Sequence, residues 1–444
     1  MDIRSSMLLT DLYQLTMLQG YMEQGMEDIA VFEFFIRKMP PQRGFFLAAG
    51  LEQLLEFLEQ AHFTAWELEW IAKSGRFSRS FVDYLERWRF TGDVHAMPEG
   101  TVCFANEPLV RVIAPLPQAQ LVETRLINLM QYQTLVASKA ARSVLMAAGK
   151  PVIDFGLRRA HGAEAGLLAA RASYLAGFAG SATVLASPLF GVPVFGTMAH
   201  SFVQAHSDEI EAFEHFALAQ PGNVILLIDT YDTEAGARKV VELAPRLSQQ
   251  GITIKGVRID SGNLIDHAFK VRRILDEGGL THVLITASGN LDEYAIAEIV
   301  SSEAPIDYLA VGTKLTVSSD VPYLDCAYKL QEYARRPCRK KSEGKATWPG
   351  RKQVFRYYDQ HGRIAHDVLT LIDDPQEGQP LLQPVMESGK RHVALPSLAA
   401  TRDYVSQQLR QLPDSLRRLQ EGATVDVKIA PALERLARIV DAPR

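Results

Sequence analysis

Six times between residues 150 and 315, a short β-branched or apolar run stops abruptly at polar, glycine-containing residues. The runs are PVIDFGLRR (151–159), VPVFGTMAH (192–200), NVILLIDTYDT (223–233), ITIKGVRIDSGN (252–263), HVLITASGN (282–290) and PIDYLAVGTKL (305–315). Their ends are marked by Asp154, Gly196, Asp229, Asp260, Ser288 and Gly312, and most intervening stretches carry apolar residues at helical spacing. Alternating strands and helices of this kind predict the α/β class and a TIM-like parallel barrel. Such a barrel holds its reactive groups at the C-terminal ends of its strands.

A chain of 444 residues exceeds the length of one barrel and leaves room for a second domain. Ahead of the barrel, VFEFFIRKM (31–39), DVHAMP (93–98) and PLVRVIAP (108–115) read as strands, with helical stretches at 50–60 and 64–88. A long helical pattern from about Leu121 to Ala148 leads into the first barrel strand. After the barrel, QVFRYYD and IAHDVLTLI form a hairpin pattern around His361-Gly362-Arg363, and about 400–421 reads as an amphipathic surface helix. The expected division is 1–120 as the first part of a small domain, 121–330 as the barrel with the active site, and 331–444 as a return to the small domain plus a terminal helix.

A net charge of −5 provides no general field for nucleic acid, and the local basic segment RRPCRKK (335–341) reads as a solvated loop or, alternatively, a flexible anion-contacting flap. No apolar run approaches the roughly 18 residues that cross a bilayer. Three widely spaced cysteines match neither a disulfide framework nor a zinc motif, and the first residues lack a cleavage signature. A cytoplasmic enzyme is expected, with no membrane or nucleic-acid partner.

The strand ends carry the chemistry. Arg158 and Arg159 follow the first run, and a guanidinium fork suits carboxylate or phosphate. Thr197 and His200 follow Gly196. Asp229 and Asp232 flank Thr230 and Tyr231, while Arg258, Asp260 and Ser261 precede Gly262. Carboxylates there can accept ribose hydroxyls, hold Mg²⁺ through water or fix a histidine tautomer; Asp232 and Ser261 can equally cap helices. Ser288-Gly289-Asn290 and Gly312-Thr313 pair small residues with backbone N–H groups at expected helix starts, a way to bind phosphate. The set suits a phosphorylated sugar, metal assistance and a second anionic substrate.

The strings TDLYQLTM (10–17), FEFFIRKMPPQRGFFLAAGLE (32–52), ETRLINLMQYQT (123–134), DFGLRRAHG (154–162), GTMAHSFV (196–203), GVRIDSGN (256–263) and KATWPGRKQVFR (345–356) resemble the nicotinate phosphoribosyltransferase family, in the family's order. The resemblance implies an irregular α/β barrel beside a discontinuous α/β sandwich, and a homodimer with shared active sites. It implies transfer of ribosyl phosphate from 5-phosphoribosyl 1-diphosphate to nicotinate, with Mg²⁺ and with ATP hydrolysis coupled through a phosphohistidine, in NAD biosynthesis. By motif position His200 takes the phosphate. The resemblance implies nicotinate near Tyr13, Arg158, Thr197 and Arg258 and the ribosyl substrate near Asp260 and Gly312-Thr313, while Ser288 and Gly289 are expected to contact substrate as the anion nest read above. Tyr13 is expected to reach the neighbouring subunit's site. Either Asp229 or Asp232 can orient His200, and Asp229 joins His200 and Asp260 as a catalytic candidate.

Two alternatives have different signatures. Nicotinamide phosphoribosyltransferases resemble this chain but carry an Asp in the segment matching GFAGSATV (177–184), where this chain has Ala182. A sugar-phosphate aldolase or isomerase needs a Schiff-base Lys or a base Glu at a strand end; Lys255 lies inside a strand pattern and Lys314 follows a turn. His161 also replaces the family's usual Gln.

Overall fold

The computed structural model describes residues 5–392 and 394–442. They form two compact units: Lys139–Pro322, and a discontinuous unit drawn from the chain up to Ser138 and from Tyr323 onward. The boundary falls inside the helix Glu123–Met146.

The central unit holds six parallel strands: Val152–Asp154, Gly180–Ser181, Ile225–Leu227, Gly256–Ile259, Leu284–Ala287 and Tyr308–Val311. In space they run second, first, sixth, fifth, fourth, third. Val194 adds a single parallel bridge to Ser181 at one edge. At the other edge, Asn223 donates from Nδ2 to the Gly196 carbonyl at 3.0 Å. The 194–196 segment therefore touches both edges, and the irregular barrel closes through one bridge and one side-chain bond. The run 192–200, expected as a full strand, supplies only that bridge. Pro193 has no N–H to give to a ladder, Gly191 precedes the run and Gly196 interrupts it. The second place in the sheet goes instead to Gly180–Ser181.

The barrel core is formed by fully buried Val257, Ile259, Ile285, Leu309 and Val311. Each such side chain contributes about 1.5–3 kcal/mol on leaving water. The helices Thr233–Gln249, Leu264–Glu277 and Glu293–Ser301 start at Asp232, Asn263 and Asp292, whose side chains accept from first-turn N–H groups. Asp232 is thus a helix cap, whereas Ser261 is not. Lys139 pairs with Glu293 at 2.8 Å and Asp320 at 2.7 Å, which secures this unit's end of the long helix.

In the discontinuous unit, Ile29–Ile36 lies antiparallel between Cys326–Tyr333 and Pro108–Pro115 within a seven-stranded sheet. A four-stranded sheet is built on the hairpin Lys352–Tyr358 and Ile364–Leu371. The two sheets are joined by buried charge: Lys352 Nζ lies 2.8 Å from Glu33, and Arg111 donates to the Lys352 carbonyl at 2.5 Å. Arg356 and Asp367 form a two-pronged pair at 3.0 and 2.6 Å. The helical stretch expected over 64–88 is two helices, Ala65–Lys73 and Arg79–Arg87, because Ser78 caps a new start. The helix expected over about 400–421 ends at Arg410, shortly before Pro413. Within the basic segment, Arg339 and Lys341 face Asp441 at 3.5 and 3.2 Å. Among the described residues, no helix is long and apolar enough to cross a membrane.

Candidate active site

The strand ends of the barrel gather sequence-predicted residues into one bonded cluster, Asp229, Asp260, Ser261 and Ser288, and three separate pairs, Arg258–Thr197, Arg159–Thr313 and His200–Thr230. Asp229 follows the third strand and is 9% exposed. Its Oδ2 accepts from the Asp260 backbone N–H at 2.9 Å and from Ser261 Oγ at 2.6 Å. Its buried Oδ1 has no hydrogen-bond partner. Asp260 Oδ1 accepts from Ser288 Oγ at 2.5 Å. Gly289 has φ +99°, and a Cβ there would meet the Asp260 carbonyl oxygen at 2.0 Å, so only glycine lets the fifth loop approach the fourth this closely.

His200 opens the short helix His200–Gln204. Its Nδ1 lies 3.2 Å from Thr230 Oγ1, and its Nε2 lies 3.8 Å from Asp260 Oδ2. The sequence left Asp229 and Asp232 as candidates to orient this ring, but the nearby carboxylate is Asp260, and Thr230 holds the other nitrogen. Asp229 braces the Asp260 loop, and Asp232 is occupied as a cap. Thr230 was missed as a partner because a hydroxyl between two acids has no distinguishing signal in one sequence.

Arg258 emerges from the fourth strand, and its Nη1 donates to Thr197 Oγ1 at 2.7 Å. Its Nε is buried without a partner. Burial lowers this guanidinium's pKa, Asp260 and Asp229 oppose that shift, and Arg158 reinforces it. Two arginines near two acids, with a donor unused, leave a place for an anion. Arg158 and Arg159 occupy an exposed 3-10 turn, Leu157–Arg159, and Arg159 donates to Thr313 Oγ1 at 3.1 Å. That bond links the first strand end to the sixth, where Gly312 precedes the short helix Thr313–Thr316. The Ser288-Gly289-Asn290 turn does not start a helix, since Asp292 caps the following one. Gly289 and Asn290 instead form consecutive left-handed residues at φ +99° and 57°.

Asp154 also belongs to this rim. It is 1% exposed, accepts from the Gly156 N–H at 2.8 Å and from Ser181 Oγ at 2.7 Å, and burial pushes its carboxyl up to about 6. The sequence reading used it only as a strand marker. Neither lysine supports Schiff-base chemistry: Lys314 is paired with Asp292 at 2.7 Å, and Lys255 donates to the Gly222 carbonyl at 2.6 Å.

Tyr13 lies in the discontinuous unit, on the helix Leu12–Glu23, and is 46% exposed. Its hydroxyl donates to Glu123 at 3.3 Å. Burial of the hydroxyl, together with Glu123 and Asp11, pushes its pKa to about 12.

Family models match in three blocks: the nicotinate phosphoribosyltransferase N-terminal domain over residues 8–131, the nicotinate phosphoribosyltransferase family over 151–334, and the family's C-terminal domain over 374–437. Nicotinate phosphoribosyltransferase pncB2 of Mycobacterium tuberculosis is 48% identical over 415 residues, covering 93% of this chain and 89% of that protein. Nicotinate phosphoribosyltransferase of Bacillus subtilis is 38% identical over 383 residues, covering 84% and 78%. The crystal structure of human nicotinic acid phosphoribosyltransferase superposes with a TM-score of 0.88 at 30% identity, covering 97% of this chain and 99% of that one. Blocks that span both units, and relatives aligned nearly end to end, give the strand-end residues a family context: the chain belongs to the nicotinate phosphoribosyltransferase family.

Proposed function

We propose that this chain joins nicotinate to 5-phosphoribosyl 1-diphosphate, giving nicotinate mononucleotide and diphosphate, with ATP hydrolysis coupled to the transfer. The observation that carries the choice of an acid substrate is Arg258, whose buried Nε has no partner while Nη1 is fixed by Thr197. A buried cationic donor is costly to leave unmatched, and a carboxylate on the pyridine ring answers it. Arg158 adds a second positive charge. A carboxamide brings no charge, and Ala182 gives it no acidic acceptor.

His200 is the proposed phosphate acceptor. In the tautomer that carries its proton on Nδ1, facing Thr230 Oγ1 at 3.2 Å, the Nε2 lone pair is open to attack the terminal phosphorus of ATP. The N–P bond forms as the bond to the ADP oxygen breaks. Asp260 lies beside that nitrogen and is held by Ser288 and the Asp229 loop. As C1 of the ribosyl group loses diphosphate it gains positive character, which these carboxylates stabilise. Mg²⁺ fits the donor set: it takes oxygen ligands from one or two carboxylates plus substrate phosphates and water, and Asp229 Oδ1 is unmatched. When bound it neutralises charge on the departing diphosphate. Arg159, Thr313, Gly312 and Gly289 are the proposed phosphate contacts; Ser288, named with them from the sequence, acts through Asp260, since its N–H goes to the Ile259 carbonyl and its Oγ to the Asp260 carboxylate.

The exposed Tyr13 ring supports a homodimer in which it closes the neighbouring pyridine site. Three free cysteines suit a reducing cytoplasm. Assaying the purified protein on nicotinate, nicotinamide and quinolinate side by side, with and without ATP, tests the proposal. Nicotinate should be strongly preferred and ATP should raise the rate. Equal use of nicotinamide would refute the role given to Arg258.

A further inference from the structure

Asp154 is a buried acid that the proposed chemistry leaves unused. Its two oxygens serve different loops. Oδ1 takes the N–H of Gly156, which begins the turn carrying Arg158 and Arg159. Gly156 is itself fixed in place, since a Cβ there would lie 1.6 Å from Thr316 Oγ1. Oδ2 takes the hydroxyl proton of Ser181, whose Oγ in turn accepts from the Thr183 N–H at 3.0 Å. Ser181 also holds the segment leading to Thr197: its N–H donates to Pro193 O, and its carbonyl accepts from Phe195 N–H, both at 3.0 Å. Thr197 then orients Arg258.

We propose that Asp154 is a positioning residue for the anionic substrate, fixing the Arg158 turn through Gly156 and the Thr197 segment through Ser181 so that Arg158 and Arg258 converge on one carboxylate. This rests on the nicotinate reading above. The ionised acid is required because both neighbours donate. An asparagine keeps one acceptor but presents an N–H to Ser181 Oγ, which already accepts from Thr183; the serine proton then loses its partner. The acid is held at a cost to the fold, because burial opposes its ionised form.

The test uses full-length Asp154→Asn, Ser181→Ala and the double variant, with steady-state kinetics on nicotinate and thermal denaturation at neutral pH. Asp154→Asn should melt no lower than wild type yet raise the nicotinate KM on the order of tenfold, as expected for one lost charged hydrogen bond. Ser181→Ala should shift KM in the same direction, and the double variant should be no worse than about twofold beyond Asp154→Asn, since both act through one link. Additive effects, an unchanged KM, or activity and melting temperature falling together would overturn the proposal. Should Asp154→Asn fail to fold, Ser181→Ala decides, because it leaves the acid in place; an unchanged nicotinate KM there overturns the link. Wild-type protein inactive on nicotinate would instead remove the substrate reading on which this proposal rests.

Discussion

The Arg356–Asp367 pair in the sandwich and the Arg258, Asp229 and Asp260 set at the barrel rim both withdraw charge from water, but they are completed differently. Arg356 and Asp367 are each 0% exposed, and both carboxylate oxygens are used by one guanidinium. At the rim, Arg258 Nε and Asp229 Oδ1 are unmatched, while the His200 and Asp260 side chains remain 38% and 37% exposed. An unmatched donor alone does not mark a site. Arg111 leaves two nitrogens unmatched at 0% exposure, where no substrate can reach. Unfinished bonding combined with access separates groups kept for a ligand from groups kept for the fold.

The sharpest break of that comparison is His200→Ala. ATP hydrolysis coupled to transfer should vanish, and the coupled rate should fall at least on the order of a hundredfold, with melting unchanged. Phosphate label retained on the variant would dismiss His200 as the acceptor. Asp367→Ala should do the reverse and lower unfolding free energy by about 3–5 kcal/mol, because the buried Arg356 loses both carboxylate bonds and keeps Gln408 Oε1 at 3.4 Å. Denaturant titration that finds less than about 1 kcal/mol would show that the sandwich tolerates unpaired charge.

Asp154 sets a pH signature between these extremes. Its folded pKa of about 6 lies above the ordinary 3.8, so its contribution to stability is full below pH 4 and is lost as pH rises through 6. The loss approaches about 3 kcal/mol at neutral pH, and Asp154→Asn should remove it. Parallel stability curves for the two proteins from pH 4 to 8 would contradict the assignment. The smallest expected effect is Arg258→Ala, which should weaken nicotinate use by about 1.5–3 kcal/mol, or some tenfold to a hundredfold in KM. An unchanged KM would place the carboxylate elsewhere.

Much of the barrel was legible because β-branched runs ending in Gly or Asp are a local pattern. The strand Gly180–Ser181 was not, since two small residues carry neither periodicity nor β-branching, and their place depends on the neighbouring Asp154 and Val194. The helix ending at Arg410 was over-extended because LPDSLRRLQ continues an amphipathic spacing past the proline that stops it. In the site, residue types at strand ends could be read directly, but partners could not. Which acid faces His200 is decided by how neighbouring loops pass one another, and that placed Asp260 there rather than Asp229 or Asp232.

The contact of Gly289 with the Asp260 carbonyl has a consequence for how this chain can diversify. A side chain at 289 has no room, so every substitution there moves the loop that carries Asp260. A mutational survey selecting only for folded protein and one selecting only for catalysis should therefore disagree at position 289, with folding tolerant of the displaced loop and turnover intolerant of it. Change is open at the exposed Arg158, whereas position 289 admits glycine alone without moving a loop.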